Sequence, residues 1–321
     1  MALKRIAVLT TGGDAPGMNA AIRAVVRYGT HHKLEVIGVF RGWWGLINEE
    51  LKLLDHRAVS GIISQGGTIL KTGRCPEFET REGQERAFNT VKKNGIGGLV
   101  VIGGNGSFQA AHAFYTNYKV PCIGIPASID NDINGIDVTI GSDTAINTAL
   151  YAIDNIRDTA TSMERIFVVE VMGRNSGFIA LKAALSGGCE DAVIPERKFD
   201  LQATCDAIVE GNLKGKISWI IIVAEGAGSA ADIAQKITEM TGLETRAVVL
   251  GHIQRGGRPT AFSRELALRL GRAAVDSLLQ GQSDKAVALR DGQIATIDLE
   301  FTVAKKELEV DNIYNLIKIL T

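Results

Sequence analysis

The stretch Arg5-Ile-Ala-Val-Leu-Thr-Thr-Gly-Gly-Asp-Ala-Pro-Gly-Met-Asn19 decides the fold class. It opens as a short apolar, β-branched run, breaks into a glycine- and proline-rich turn, and continues over residues 19–28 with apolar side chains at helical spacing. Working outward, the same alternation recurs. Residues 34–40, 98–102, 120–125, 165–172, 218–224 and 247–250 read as strands, and residues 82–93, 107–117, 143–157 and 176–185 as helices. Strands that are apolar on both faces and alternate with helices predict α/β architecture: two doubly wound sandwich domains with mostly parallel sheets. Residues 285–299 read as two short strands around the Asp291-Gly292 turn. A domain boundary is expected near Gly141, where the Asp/Asn/Gly-rich loop 130–135 gives way to a long helix with Ser142 as its N-cap.

Composition narrows the functional classes. The 321 residues suffice for about two domains at roughly 150 residues each. Lys+Arg 35 against Asp+Glu 36 leaves a net charge of −1, so no global positive field exists to hold nucleic acid. Cys75, Cys122, Cys189 and Cys205 lie far apart, without the close paired spacing of a zinc site or redox dithiol, and read as reduced thiols. The basic start Met1-Ala-Leu-Lys-Arg5 precedes only a short apolar run, so it reads as the lead into a first strand, not an export signal. No apolar stretch approaches the roughly 20 residues that span a bilayer. The expectation is a cytoplasmic protein with no membrane partner. Glycine is over-represented, 36 residues against about 7% in an average chain, and it collects at strand ends.

Three of those strand ends are candidate chemistry. In open α/β sheets anions collect where strands end and helices begin, because backbone N–H groups there lack partners. The loop Thr10-Thr-Gly-Gly-Asp-Ala-Pro-Gly-Met-Asn19 is neither a Walker loop nor a dinucleotide fingerprint, and by itself it also fits a plain turn. Val100-Val-Ile-Gly-Gly-Asn-Gly-Ser107 is a second junction with the same two readings. The third, Pro126-Ala-Ser-Ile-Asp-Asn-Asp132, sets two carboxylates one residue apart; their repulsion calls for a cation or an arginine.

With Val171-Met-Gly-Arg174, Ala224-Glu-Gly226 and Val249-Leu-Gly-His-Ile-Gln-Arg-Gly-Gly257, these loops closely resemble the bacterial ATP-dependent 6-phosphofructokinase family, in order and spacing along nearly the whole chain. The resemblance implies transfer of the γ-phosphoryl of Mg-ATP to the 1-hydroxyl of fructose 6-phosphate, giving fructose 1,6-bisphosphate and ADP. It implies an active site in the cleft between a nucleotide domain, residues 1–141 plus 253–304, and a sugar-phosphate domain, residues 142–252 plus 305–321. Asp130 is then the general base, Arg74 bridges the migrating phosphoryl, and Gly13, Ser128 and Arg174 complete the catalytic set. ATP falls to Gly13, Trp43, Arg74, Cys75, Gly104, Asn105, Gly106 and Ser107. Trp44 is the alternative aromatic for the core. Fructose 6-phosphate falls to Ser128, Asp130, Asp132, Arg165, Met172, Gly173, Arg174, Glu225, Arg246, His252 and Arg255. Arg165 and Arg246 would reach in from a neighbouring subunit of a homotetramer.

An allosteric site for ADP or phosphoenolpyruvate is implied at Arg23, Arg27, Arg57, Arg157, Glu190, Lys214 and Lys216, with His56 and Gly61 departing from the family pattern. Gly106 and Ala127 stand where pyrophosphate-using relatives carry an aspartate and a lysine, which favours ATP. Asn105 replaces the usual aspartate, so Mg²⁺ would be held by Asp132 and a weakened ligand at Asn105. Three readings therefore stand: an active kinase, an impaired or noncatalytic regulatory paralogue, and, from the fold class alone, a two-lobed sugar-binding protein, which the missing export signal disfavours.

Overall fold

The computed structural model describes residues 3–321; Met1 and Ala2, the start of the basic stretch noted above, lie outside the described residues. The strands are β1 (Arg5–Thr10), β2 (Glu35–Val39), β3 (Leu51–Leu54), β4 (Leu99–Gly103), β5 (Cys122–Ser128), β6 (Ile140–Gly141), β7 (Ile166–Val171), β8 (Asp191–Val193), β9 (Trp219–Ala224), β10 (Thr245–Val249), β11 (Lys285–Arg290) and β12 (Gln293–Asp298). The helices are α1 (Met18–His31), α2 (Trp43–Ile47), α3 (Arg81–Lys93), α4 (Asn105–Tyr118), α5 (Ser142–Met163), α6 (Phe178–Ser186), α7 (Leu201–Leu213), α8 (Ala230–Thr241), α9 (Ala261–Leu279), α10 (Leu299–Thr302) and α11 (Asp311–Leu320). The chain divides into two compact units, residues 1–144 with 255–306 and residues 145–254 with 307–321.

The first unit is built on one sheet of order β12-β11-β5-β4-β1-β2-β3, with β6 beside β5. Its centre is parallel; β3 and β12 pair antiparallel at the two edges. β4 is buried along its whole length and β1 along all but Arg5, as the two-sided apolar pattern predicts. From β1 the chain moves to β2 on one side, whereas β4 lies on the other. The carboxyl ends of β1 and β4 therefore flank a topological switch point, where ligands of such sheets bind. Behind the sheet α1 and α9 pack closely enough that a Cβ on Gly271 would stand 2.5 Å from that of Ala24. The second unit has a four-stranded parallel sheet of order β10-β7-β9-β8, with Ile221 and Val223 of β9 in its core.

Local chemistry explains the helix starts. Thr80, Asp200, Ser229 and Thr260 each accept a backbone N–H from the first turn of α3, α7, α8 and α9. Ser142 is the first residue of α5, and its hydroxyl donates to Thr139 O at 2.9 Å in the preceding turn. The hairpin turn at Asp291-Gly292 forms, with both residues at positive φ. Helices α7, α8, α9 and α11 lie beyond those read from periodicity, and the short edge strand β3 and the three-residue β8 are too brief to stand out in sequence.

Candidate active site

Strands β1, β4 and β5 are neighbours, so the three glycine- and aspartate-bearing loops leave the sheet side by side. The first two interlock. Thr11 N donates to Ile102 O at 3.0 Å, and Ser107 Oγ donates to Thr11 O at 3.0 Å. The fit depends on Gly103, where a Cβ would stand 2.6 Å from Thr11 O and 2.3 Å from Ser107 Oγ. Neither α1 nor α4 has a side-chain cap; Met18 N donates to Ala15 O at 3.2 Å and Ser107 N to Gly104 O at 3.0 Å, so backbone carbonyls meet part of each first turn. Gly17 turns the chain into α1 at φ 111, and a Cβ there would strike Ile140.

The arginine loop is tied to the first junction through the backbone. Gly12 N donates to Gly73 O at 3.2 Å and Thr72 Oγ1 to Gly12 O at 2.9 Å, which brings exposed Arg74 beside the Gly12-Gly13 turn. Cys75 follows, partly buried, its thiol pushed up by burial. Arg255 lies over the same turn: its Nη1 donates to Asp14 O at 3.1 Å and stands 2.6 Å from where a Gly13 Cβ would be. Arg255 thus reaches exposed Gly13, and Arg74 follows the glycine whose carbonyl holds Gly12 N. Gly106 is open, with nothing within 4 Å of an added Cβ.

The acidic loop is held from several sides. Ser128 lies next to Gly104, its Oγ accepts Asp130 N at 3.2 Å, and it reaches Asp132 Oδ1 at 3.5 Å. Asp130 is buried, whereas Asp132 is partly open. Asn131 between them takes φ 49; its side chain donates to Asp137 O and accepts Thr139 N, both at 2.9 Å. Asn105 Nδ2 donates to Asp132 O at 3.1 Å, and its Oδ1 is buried with no hydrogen-bond partner. Lys306, absent from the sequence reading, reaches the same loop. Lys306, next to Lys305 in a short charged stretch, carries no motif, so only the fold reveals it.

Trp43 is placed otherwise than expected. It is 3% exposed, stacked on Phe78 at 4.1 Å and edge-on to Phe114, so it is a core residue with no ring face turned to a ligand. Trp44, the alternative for the core, is the exposed one, with Arg41 over its ring. The short helix α2 turns successive side chains by about 100°, so only one of the pair can face the sheet.

In the second unit, Glu225 Oε1 accepts Gly173 N at 3.2 Å and Arg174 N at 2.8 Å, fixing a turn whose two residues have φ 144 and 53. A Cβ on Gly226 would overlap Arg174 O, so the two loops are in direct backbone contact. Met172 is buried beneath this turn. Arg165, just before β7, and Arg246, on the adjacent parallel strand β10, both pair with Glu244, a further residue the sequence reading missed. His252 is exposed on the short helical turn that follows β10.

The residues of the implied allosteric site fall in both units. Arg23 and Arg27 share a face of α1, and burial together with Arg27 lowers the pKa of Arg23; Arg27 Nε is buried without a partner. Arg57 and His56 are exposed, and Gly61 sits at φ 73 with open space around it. In the second unit, Arg157 donates to Gly188 O at 2.8 Å, Lys214 pairs with Glu210, and Lys216 pairs with buried Glu190 at 3.1 Å.

A family model described as Phosphofructokinase matches residues 5–278. The chain is 51% identical over 319 residues to the "ATP-dependent 6-phosphofructokinase" of Thermotoga petrophila, covering 99% of this chain and 100% of that one. It is 52% identical over 314 residues to the protein of the same name from Bacillus pumilus, covering 98% of each. The solved "Structure of phosphofructokinase from Saccharomyces cerevisiae" superposes with a TM-score of 0.88 at 37% identity over 94% of this chain, which spans 45% of that longer one. A match running from β1 to the end of α9, with about half of all positions shared along whole relatives, means that the chain belongs to the phosphofructokinase family.

Proposed function

We propose that the chain is an ATP-dependent 6-phosphofructokinase, moving the γ-phosphoryl of ATP to the 1-hydroxyl of fructose 6-phosphate. The observation that carries this is identity of 51% along the full length of a relative so named, in a chain whose Gly13, Asn105 and Asp130 loops leave the side-by-side strands β1, β4 and β5 at a switch point, with the Arg74 segment hydrogen-bonded to the first through Gly73 O. Phosphoryl transfer asks the protein mainly to position reactants and offset charge. Asp130 takes the hydroxyl proton, Arg74 and the Gly13 N–H meet the migrating group, and Ser128 orients the acidic loop. The sugar's phosphate is assigned to Arg165, Arg246, His252 and Arg255, where planar guanidinium donors suit a dianion. Met172, Arg174 and Glu225 hold the ring, Glu225 by fixing the Gly173-Arg174 turn.

Open space at Gly106 and the small side chain of Ala127 favour a nucleoside triphosphate over pyrophosphate. The donor chemistry fits Mg²⁺ carried on the nucleotide: Asn105 Oδ1 is a buried oxygen lacking a partner, and the Asp132 carboxylate is in the next loop. Among the described residues no group of three or more His, Cys, Asp or Glu could cage an ion, which suits a cation held chiefly by phosphates and water. Bound there, it would offset phosphate charge. A homotetramer sharing its sites, with ADP or phosphoenolpyruvate acting at Arg23, Arg27, Arg57, Arg157, Glu190, Lys214 and Lys216, completes the reading. No helix among the described residues is long and apolar enough to cross a membrane.

Coupled detection of fructose 1,6-bisphosphate from Mg-ATP and fructose 6-phosphate tests the proposal. Turnover that vanishes in Asp130→Ser supports it; sugar-phosphate binding without turnover at saturating Mg-ATP would sink it.

A further inference from the structure

The loop that carries Asp130 and Asp132 is buttressed by a cation from a distant part of the chain. Lys306 Nζ donates to Asn131 O at 3.0 Å and to Ile136 O at 2.7 Å, so one ammonium ties both limbs of the loop. The preceding residue, Lys305, forms an antiparallel β-bridge with Ile133, which fixes the approach of this segment to the loop. The Lys306 side chain is largely desolvated: burial lowers its pKa, and the carboxylates that face it, Asp132 and Asp137, act in the opposite direction. Its two acceptors matter because of where they lie. Asn131 is the residue between the two acids and sits in the left-handed region, a conformation that persists only where its surroundings impose it. Its side chain is already committed to Asp137 O and Thr139 N, and Lys306 takes its carbonyl. On the other flank Asn105 Nδ2 holds Asp132 O.

We infer that Lys306 is a positioning residue for the phosphoryl-transfer loop: it holds Asn131 in its strained conformation and places positive charge behind two neighbouring carboxylates, thereby setting the orientation of Asp130. This rests on the assignment of Asp130 as proton acceptor. Charge-assisted bonds are the strong members of their class, and two of them converge on a segment otherwise built from turns. Chemistry is sensitive to small displacements, a misplacement of about 1 Å costing on the order of 100-fold. The phosphate group of the sugar, the charged anchor of the substrate, is assigned to arginines and a histidine outside this loop, so binding should be far less affected than turnover.

The test compares full-length Lys306→Met and Lys306→Arg with the parent and with Asp130→Asn, measuring kcat, KM for fructose 6-phosphate, and equilibrium binding of fructose 6-phosphate. The inference expects kcat of Lys306→Met to fall at least about tenfold, with KM and sugar-phosphate binding within about threefold, and most of the loss restored in Lys306→Arg, which keeps charge and donors. Turnover of Lys306→Met within about twofold of the parent overturns it. So does loss of sugar-phosphate binding along with turnover, because Lys306 would then be holding the fold and not the loop. An Asp130→Asn variant that keeps its turnover removes the underlying site assignment instead, which separates the two failures.

Discussion

Replacing Asn105 by aspartate probes both the packing of the nucleotide-side loops and their relation to the metal. In the parent chain Asn105 Nδ2 donates to Asp132 O at 3.1 Å while Oδ1 is buried without a partner. Aspartate has no N–H, so the bond is lost and a carboxylate oxygen faces the Asp132 carbonyl. A lost hydrogen bond costs about 1 kcal/mol, and a buried acceptor left unsatisfied adds about 1 kcal/mol or more. Without metal the variant should therefore be less stable by about 2 kcal/mol, which at about 2–4 °C per kcal/mol lowers its melting temperature by roughly 4–8 °C. With Mg²⁺ the sign changes, because a charged oxygen is the better ligand for a hard cation. The Mg²⁺ concentration for half-maximal rate should fall on the order of tenfold, equivalent to about 1.4 kcal/mol. Binding restricted to the native state also adds stability, so saturating Mg-ATP should close most of the melting gap. Melting curves with and without Mg-ATP, together with metal titrations of initial velocity, measure both quantities. A metal-free variant as stable as the parent would refute the assigned bond, and an unchanged or raised metal midpoint would refute the ligand role of this position.

Glycine positions should separate packing from chemistry: Gly103→Ala must displace backbone and should cost about 1–3 kcal/mol by denaturant unfolding, whereas Gly13→Ala displaces only the Arg255 guanidinium and should reduce turnover with little change in stability. Trp43→Ala should destabilise by about 3–5 kcal/mol as a core truncation, and equal stability would show that the stack on Phe78 is not structural. Tyr314, whose hydroxyl donates to buried Asp191, has its pKa raised by burial and by that carboxylate to about 12. Its neutral form is favoured in the folded state, so its contribution is complete below about pH 10 and is lost as pH rises through the folded value. Melting temperature should fall over that window, and less steeply in Tyr314→Phe; identical slopes would exclude Tyr314 as a source. Native alkylation followed by mass spectrometry should label Cys75 ahead of Cys122 and Cys189, both buried, with Cys189 pushed up to about 12 by desolvation. Equal labelling of all three would contradict their burial.

Much of this molecule was legible in one dimension because its signals are local. Apolar runs between glycine turns specify buried parallel strands, a Gly-Gly pair after a strand specifies a close approach, and Asp291-Gly292 specifies a hairpin; each depends on neighbours only a few residues away. The loops that carry Asp130, Asn105 and Gly13 could be picked out for the same reason. What tertiary structure alone decided are relations between distant segments. Of two adjacent tryptophans, Trp43 is buried and Trp44 exposed because helix α2 presents one side to Phe78 and Phe114. Glu244 reaches Arg165, 79 residues away, because β7 and β10 lie side by side. Lys306 is the clearest case: no spacing in the sequence links it to Asn131, and only the return of the chain past the acidic loop sets an ammonium against those carbonyls, where desolvation makes the pairing strong.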